Sequence, residues 1–417
     1  MNTEHPAILP VRERAELVNG MLLDKLDHLL PEIMREHGFD MWLMVCQEDN
    51  YDAVMESMIP YECWFKILNF LIYFDRGPEK GVERIDLGFS RTGGFHEKVW
   101  RGHRHEEQWA LLPKLVAERD PKRIGLNVAS VNWAPDGLSH GLYLQLCQQL
   151  PKQYVDRMES AEAMGVHWLM THSDEQLRLY QEVVGPIAHW MMKSLYTRDV
   201  IKPGKTTTED MNWAYWQQCT ELGMEPAFKP NYYVRRRGVD GNAKDTTIYP
   251  GDMLFCDVGI DYLDLNTDMK EWAYILPPGE TDVPDGFKEL MRSGNRLQDI
   301  YLDSFEAGKT GNQLVRRMLE RAHAEGIPNP KVYSHSCGLF VHEPGPLIGL
   351  PWEQQDTGGR GEVPMRYNST YTMETSTAMP VPGWDGQLVT LNLEQDVMFT
   401  REGCRVIDGR QTEYHLV

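Results

Sequence analysis

Gly251-Asp252-Met253-Leu254-Phe255-Cys256-Asp257-Val258-Gly259 is a strand-like apolar run broken by an aspartate, and the reading of the whole chain turns on it. Burying a carboxylate is costly unless a cation or hydrogen-bond donors compensate, so Asp257 marks a place where something is bound. Eleven positions on, Asn266-Thr267-Asp268-Met269 leads into a second strand-like run, Trp272-Ala273-Tyr274-Ile275-Leu276. A polar turn around Asp261 to Asp264 lies between them, and Asp261 and Asp264 are assigned to its solvated side. An antiparallel hairpin over this stretch brings Asp257 and Asp268 together on one face. Taken singly, each aspartate also reads as an ordinary turn or surface carboxylate.

Three further residues share the pattern of a polar group inside or beside an apolar strand. His335 sits in Tyr333-Ser334-His335-Ser336-Cys337-Gly338-Leu339-Phe340-Val341-His342-Glu343-Pro344, seven positions before His342. One histidine in such a segment reads as a core residue; two flanking a glycine kink read as a site. Glu374 follows Ser369-Thr370-Tyr371-Thr372-Met373. Glu394 closes Leu388-Val389-Thr390-Leu391-Asn392-Leu393, where alternation puts Thr390, Asn392 and Glu394 on one face. Asp257, Asp268, His335, Glu374 and Glu394 together are a ligand set for two adjacent divalent metals that activate water for hydrolysis. The set is oxygen-rich, which favours Mn2+, with Fe2+, Co2+ or Zn2+ as alternatives; one histidine and no thiolate argue against a structural zinc site.

In order and spacing these residues resemble the pita-bread metallopeptidases: aminopeptidase P, prolidase, methionine aminopeptidase and the non-peptidase creatinase. The resemblance covers essentially the whole chain. It implies an α/β (α+β) protein with a creatinase-like amino-terminal domain over residues 1–165 and a pita-bread metallohydrolase domain over 166–417. It also implies that Asp257 holds one metal, Asp268 and Glu394 bridge, and His335 and Glu374 hold the other. Glu374 is then the catalytic proton carrier, and His342, opening a segment close to the family's His-Glu-x-Pro, contacts the substrate carbonyl. The implied activity is that of an Xaa-Pro aminopeptidase or dipeptidase acting on a small peptide, as a homodimer. The peptidases of this family carry another histidine upstream of the first aspartate; the equivalent place here falls near Asp240, and no histidine occurs between His189 and His323. That window holds Tyr232, Tyr233, Arg235, Arg236 and Arg237 instead. Tyr232 and the three arginines are therefore expected to bind an anionic or carbonyl group of the substrate, the alternative for the arginine run being a solvated face. The missing histidine counts for a non-peptidase hydrolase or lyase of the same fold, creatinase-like; a catalytically inactive binding protein is the other alternative the resemblance leaves, and the intact ligands count against it.

Composition bounds these readings. At 417 residues the chain exceeds one typical domain, and 41% hydrophobic content suffices for sizeable cores. A net charge of -20 disfavours nucleic acid or an anionic membrane as partner. The longest apolar run, Phe65 to Phe74, is too short for a bilayer, and the opening Met1-Asn2-Thr3-Glu4-His5-Pro6 lacks the regions of a signal peptide. Seven scattered cysteines without a CxxC spacing indicate reduced thiols and a cytoplasmic setting. Cys256 and Cys337, beside the expected ligands, read as packing residues.

Along the chain, 13–35 reads as a helix broken near Pro31, 40–46 and 66–75 as strands, 106–119 as a helix and 123–127 as a strand, an alternation that gives an open α/β domain. His103-Arg104-His105-Glu106-Glu107 reads as a solvated helix start. Thr206 and Glu209 form an expected capping box for the next domain's helix. Two helix-plus-hairpin halves joined by a helix-like region over 286–326 complete the second domain. Gly358-Gly359-Arg360-Gly361 reads as a flexible turn.

Overall fold

Met41–Gln47 has six buried residues in succession, the mark of a strand covered on both faces. In the computed structural model, which describes residues 6–417, this strand (β1) is central to a six-stranded sheet; residues 1–5, most of the opening segment read for a signal peptide, lie outside the described residues. The sheet comprises β1, β2 (Leu68–Asp75), β3 (Val82–Asp86), β4 (Glu97–Lys98), β5 (Ile124–Leu126) and β6 (Met158–Ser160), in the order β4-β3-β2-β1-β5-β6. β1 pairs antiparallel with β2 and parallel with β5. Most of the run 65–74 is thus the sheet strand β2, and among the described residues no helix is long and apolar enough to cross a membrane.

The expected break at Pro31 takes another form. The helix Val11–Asp24 continues through a π-helical turn, Lys25–Leu29, into the helix Leu30–His37, with Pro31 in its first turn. Proline lacks an N–H and crowds the carbonyl four residues back; a wider turn just before it lets the helix continue. Contacts divide the chain at Ser173 and Asp174. The helix Glu162–Met170 lies across the expected 165/166 boundary and belongs to the first unit, where Trp168 Nε1 donates to Ser57 Oγ.

The second unit contains β7 (Glu225–Pro226), β8 (Asn231–Arg235), β9 (Met253–Asp257), β10 (Ile260–Tyr262), β11 (Leu265–Asn266), β12 (Trp272–Tyr274), β13 (Lys331–Ser336), β14 (Glu343–Ile348), β15 (Ser369–Val381), β16 (Gln387–Thr400), β17 (Gly403–Val406) and β18 (His415–Leu416). Its sheets run β11-β10-β7, β18-β12-β9-β8 and β14-β13-β15-β16-β17. Residues 253–274 form one hairpin in constant register, from Met253 opposite Tyr274, through Val258 opposite Met269, to Tyr262 opposite Leu265. Its turn is Leu263-Asp264, both in the left-handed region as a two-residue hairpin loop requires. Asp264 is exposed as expected, whereas Asp261 belongs to β10 and is half-buried. Gly259 lets the two arms close: a Cβ there would lie 1.8 Å from the Thr267 carbonyl oxygen.

The helix Phe287–Ser304 packs its apolar face on the long hairpin β15/β16 and the helix Gly311–Ala324 packs on β13 and β14, with Leu297, Ile300, Leu314 and Met318 in their shared core. The helix Thr208–Glu221 is capped one residue later than expected. Thr207 accepts from Asp210 N and Asp210 accepts from Thr207 N, while the Thr206 hydroxyl accepts from Lys202 N.

Behind β12, Glu271 is buried between two imidazoles, with His189 Nε2 at 3.2 Å from one carboxylate oxygen and His415 Nε2 hydrogen-bonded to the other. Burial would push His189 down, but Asp408 and Glu271 outweigh it and lift the imidazole to about 9; burial would push Glu271 up, but the two histidines hold it at about 2. The His189 contribution is fully present below its ordinary value of 6.5 and is lost as pH rises through about 9. That interval corresponds to about 3 kcal/mol. Thermal unfolding between pH 6 and 10 should show an alkaline loss of stability that His189→Gln abolishes.

Candidate metal centre

Directly opposed residues in a ladder project to one face, and the hairpin register makes Lys270 the partner of Asp257. Asn231 flanks Asp257 on its other side. Lys270 is bridged in turn to Glu394, Glu394 lies opposite Glu374, and Glu374 opposite Tyr333. One row, Asn231, Asp257, Lys270, Glu394, Glu374 and Tyr333, therefore crosses the joint between two sheets. Two backbone hydrogen bonds close that joint, Lys270 N to Glu394 O at 3.0 Å and Glu394 N to Lys270 O at 3.3 Å. Asp268, two residues from Lys270, shares its face and stands diagonally from Asp257.

The structure brings Asp257, Asp268, His335, Glu374 and Glu394 together. His335, Glu374 and Glu394 each offer a ligand atom within 4.8 Å of one another, as do Asp257, Asp268 and Glu394, and Asp268, His335 and His342. Sequence reasoning missed Lys270. Its ammonium is 2.7 Å from Glu374 Oε2 and 3.4 Å from Asp257 Oδ2, and it also contacts Glu394 Oε2. The signal was present in the register: once Asp257 and Asp268 are placed eleven apart in a tight hairpin, Lys270 faces Asp257.

His335 is buried, and its Nδ1 donates to Ser336 O at 3.0 Å, which leaves the Nε2 lone pair facing Asp268 Oδ2 at 3.8 Å and Glu374 Oε1 at 3.6 Å. Burial pushes its imidazole down to about 3, so the ring is neutral, the form that binds metal. Asp268 Oδ1, His335 Nε2 and Glu394 Oε1 are buried without a hydrogen bond. Burial and mutual repulsion push the carboxyls of Asp268 and Glu394 well up, and burial raises that of Glu374. Unpartnered atoms on three residues of these groups, one of them a neutral imidazole, fit a divalent cation. Asp268 is held in place by its own N–H, which donates to the buried Asp396 carboxyl at 3.2 Å. His342 is exposed, its ring centroid 4.7 Å from that of His335. Arg360 belongs to a short helical turn, Gly359–Glu362, rather than a loose one, because its guanidinium donates to Glu343 O and Gly345 O beside His342. Burial pushes the Cys256 thiol up to about 12 and that of Cys337 well above the usual range, which suits packing and not nucleophilic attack.

A carboxylate-rich candidate metal site at the joint of two helix-backed hairpins, in a unit that follows an α/β unit along the chain, defines a pita-bread metallohydrolase fold. Residues 180–406 match the sequence profile of metallopeptidase family M24, and the chain belongs to that family. Among solved structures it is similar to an X-Pro aminopeptidase from Thermotoga maritima (TM-score 0.65, 18% identity, covering 93% of this chain and 100% of that one). It is also similar to an Xaa-Pro dipeptidase from Bacillus anthracis (0.61, 16%, 98% and 100%) and a prolidase from Pyrococcus horikoshii (0.57, 15%, 96% and 99%). A comparison with curated proteins finds no match.

The Tyr232 to Arg237 segment divides by strand alternation. Tyr232 lies opposite Cys256, on the face away from Asp257, with its ring against Tyr196. Tyr233 stacks on Phe255, which stacks on Trp272, and Arg235 lies over Phe255 at 5.8 Å on the same face as Asp257. Arg236 forms a two-pronged pair with the buried Asp252 at 2.8 and 2.7 Å, and Arg237 pairs with the exposed Asp385. Arg236 is thereby committed to the fold. Arg236→Ala would strand the Asp252 carboxylate, at a cost of about 3 kcal/mol read from the denaturant midpoint. Arg237→Ala should change stability by less than about 1 kcal/mol.

Proposed function

We propose that this chain is a divalent-metal-dependent hydrolase that cleaves a C–N bond in a small substrate, with Xaa-Pro peptides as the substrate class. The observation that carries the reading is that His335, Glu374 and Glu394 offer ligand atoms within 4.8 Å of one another, with His335 Nε2 and Glu394 Oε1 buried and unpartnered. The names of the structurally similar aminopeptidase, dipeptidase and prolidase support the substrate class. An ion bound there supplies an acidified water and a Lewis acid for the scissile carbonyl; manganese suits the oxygen-rich set. The resemblance implies two such ions, and Lys270 stands against that number. Glu374 has Oε2 held by Lys270 and Oε1 turned toward His335, so Oε1 is the atom placed to accept a proton from water and deliver it to the leaving amine. His342, whose ring lies against that of His335, would donate to the developing oxyanion. Arg235, on the face of the row, is placed to attract a substrate carboxylate. The seven cysteines form no disulfide, in keeping with a reducing, cytoplasmic setting.

A second reading, a non-peptidase hydrolase or lyase of the same fold, is favoured by one observation. A lysine ammonium stands in the carboxylate row, in a chain that also lacks a histidine between His189 and His323.

Assays of Xaa-Pro dipeptides and longer Xaa-Pro peptides beside creatine-like small molecules, with added Mn2+, separate the two. Hydrolysis of the peptides is expected. His342→Ala should lower kcat by about a hundredfold with little change in KM, and Glu394→Ala should abolish turnover. Turnover of the small molecules alone would transfer the site to the second reading, and no turnover of either would remove both.

A further inference from the structure

The row contains a positive charge that a two-ion centre has no room for. Lys270 Nζ lies at 2.7 Å from Glu374 Oε2 and 3.4 Å from Asp257 Oδ2, and contacts Glu394 Oε2. Asp257 and Glu394 both belong to the ligand group Asp257, Asp268 and Glu394, whose ligand atoms lie within 4.8 Å of one another. An ion there would lie within contact distance of the ammonium and share its oxygens, and like charges this close repel strongly in a dry site. The lysine cannot easily yield the place. Its backbone is hydrogen-bonded on both sides to Glu394, and its register opposite Asp257 and Glu394 fixes its side chain on their face. Only 15% of that side chain is exposed.

The unpartnered atoms are distributed unevenly in the same sense. Asp257 Oδ2, Glu374 Oε2 and Glu394 Oε2 are occupied by Lys270, whereas Asp268 Oδ1, His335 Nε2 and Glu394 Oε1 form no hydrogen bond. Glu394 divides its two oxygens between the halves. We infer that Lys270 takes the place of one of the two ions: the chain carries a single divalent ion at His335, Asp268, Glu374 and Glu394, beside a built-in ammonium. The inference rests on the metal-binding part of the proposed function and not on the substrate.

Loading the full chain with Mn2+, removing free ion and measuring manganese by elemental analysis should give one ion per chain. Its electron paramagnetic resonance spectrum should be that of an isolated ion. Lys270→Ala should then bind two ions per chain and show the exchange-coupled spectrum of a close pair. Lys270→Met, which keeps most of the stem and removes the charge, guards against loss of fold and should also lose the one-ion limit. Two ions per wild-type chain would overturn the inference, as would none. A folded Lys270→Ala that still binds one ion would also overturn it, because the second position would not be the lysine's. These counts are independent of turnover: one bound ion without hydrolysis defeats the proposed function alone, and two bound ions with hydrolysis defeat the count alone.

Discussion

Lys270 faces three carboxylates that reach it from three strands, and the arrangement of the second unit converges on that contact. Asp257 comes from β9, Glu394 from β16 and Glu374 from β15. The carboxylates crowd one another, and burial drives those of Asp268, Glu374 and Glu394 toward their protonated forms. The ammonium offsets part of that repulsion within the sheet itself. Removing one partner from a buried ion pair costs about 3 to 5 kcal/mol, comparable with a good share of a domain's net stability. The backbone bridge between Lys270 and Glu394 joins the sheets at the same point, so charge balance and sheet continuity are fixed by one residue.

Supports for this arrangement lie on both faces of β12. On the row's face, Tyr233, Phe255 and Trp272 stack in sequence and wall the near side of Asp257. On the other, Glu271 is locked between His189 and His415, and Tyr196 donates to its carbonyl oxygen. Alternation along three residues, Lys270, Glu271 and Trp272, thus places a cation, a buried anion and a large ring on assigned sides of one strand. A slip of one residue would exchange them.

Much of this was legible in the sequence because it follows from short-range rules. The interrupted run around Asp257 and the spacing to Asp268 specify a hairpin, and the hairpin specifies neighbours. The family membership and the fold were readable from the order of the five ligand residues. What was not legible came from competition between equivalent local choices. Thr206 and Thr207 each offer a capping box, and the turn before them takes the Thr206 hydroxyl. Pro31 can end a helix or be preceded by a wider turn, and packing of the following helix decides. The arginine run carried no mark of which guanidinium would meet Asp252, because that partner lies sixteen residues and one strand away in the fold's register. Lys270 was hidden for a different reason: a lysine before a strand ordinarily reads as solvated, and only the register shows that it points inward.

A chain that brings its own cation to a carboxylate cluster need not await one from outside to fold. In proteins whose ligands are neutralised only by metal, binding and folding are one event, and a chelator unfolds them. Here the ammonium set between the sheets offsets the carboxylate charge where they join. A divalent ion at the proposed site would then enter as a guest in a finished building. Its arrival and departure can follow the supply of ions in the surroundings without placing the architecture at risk.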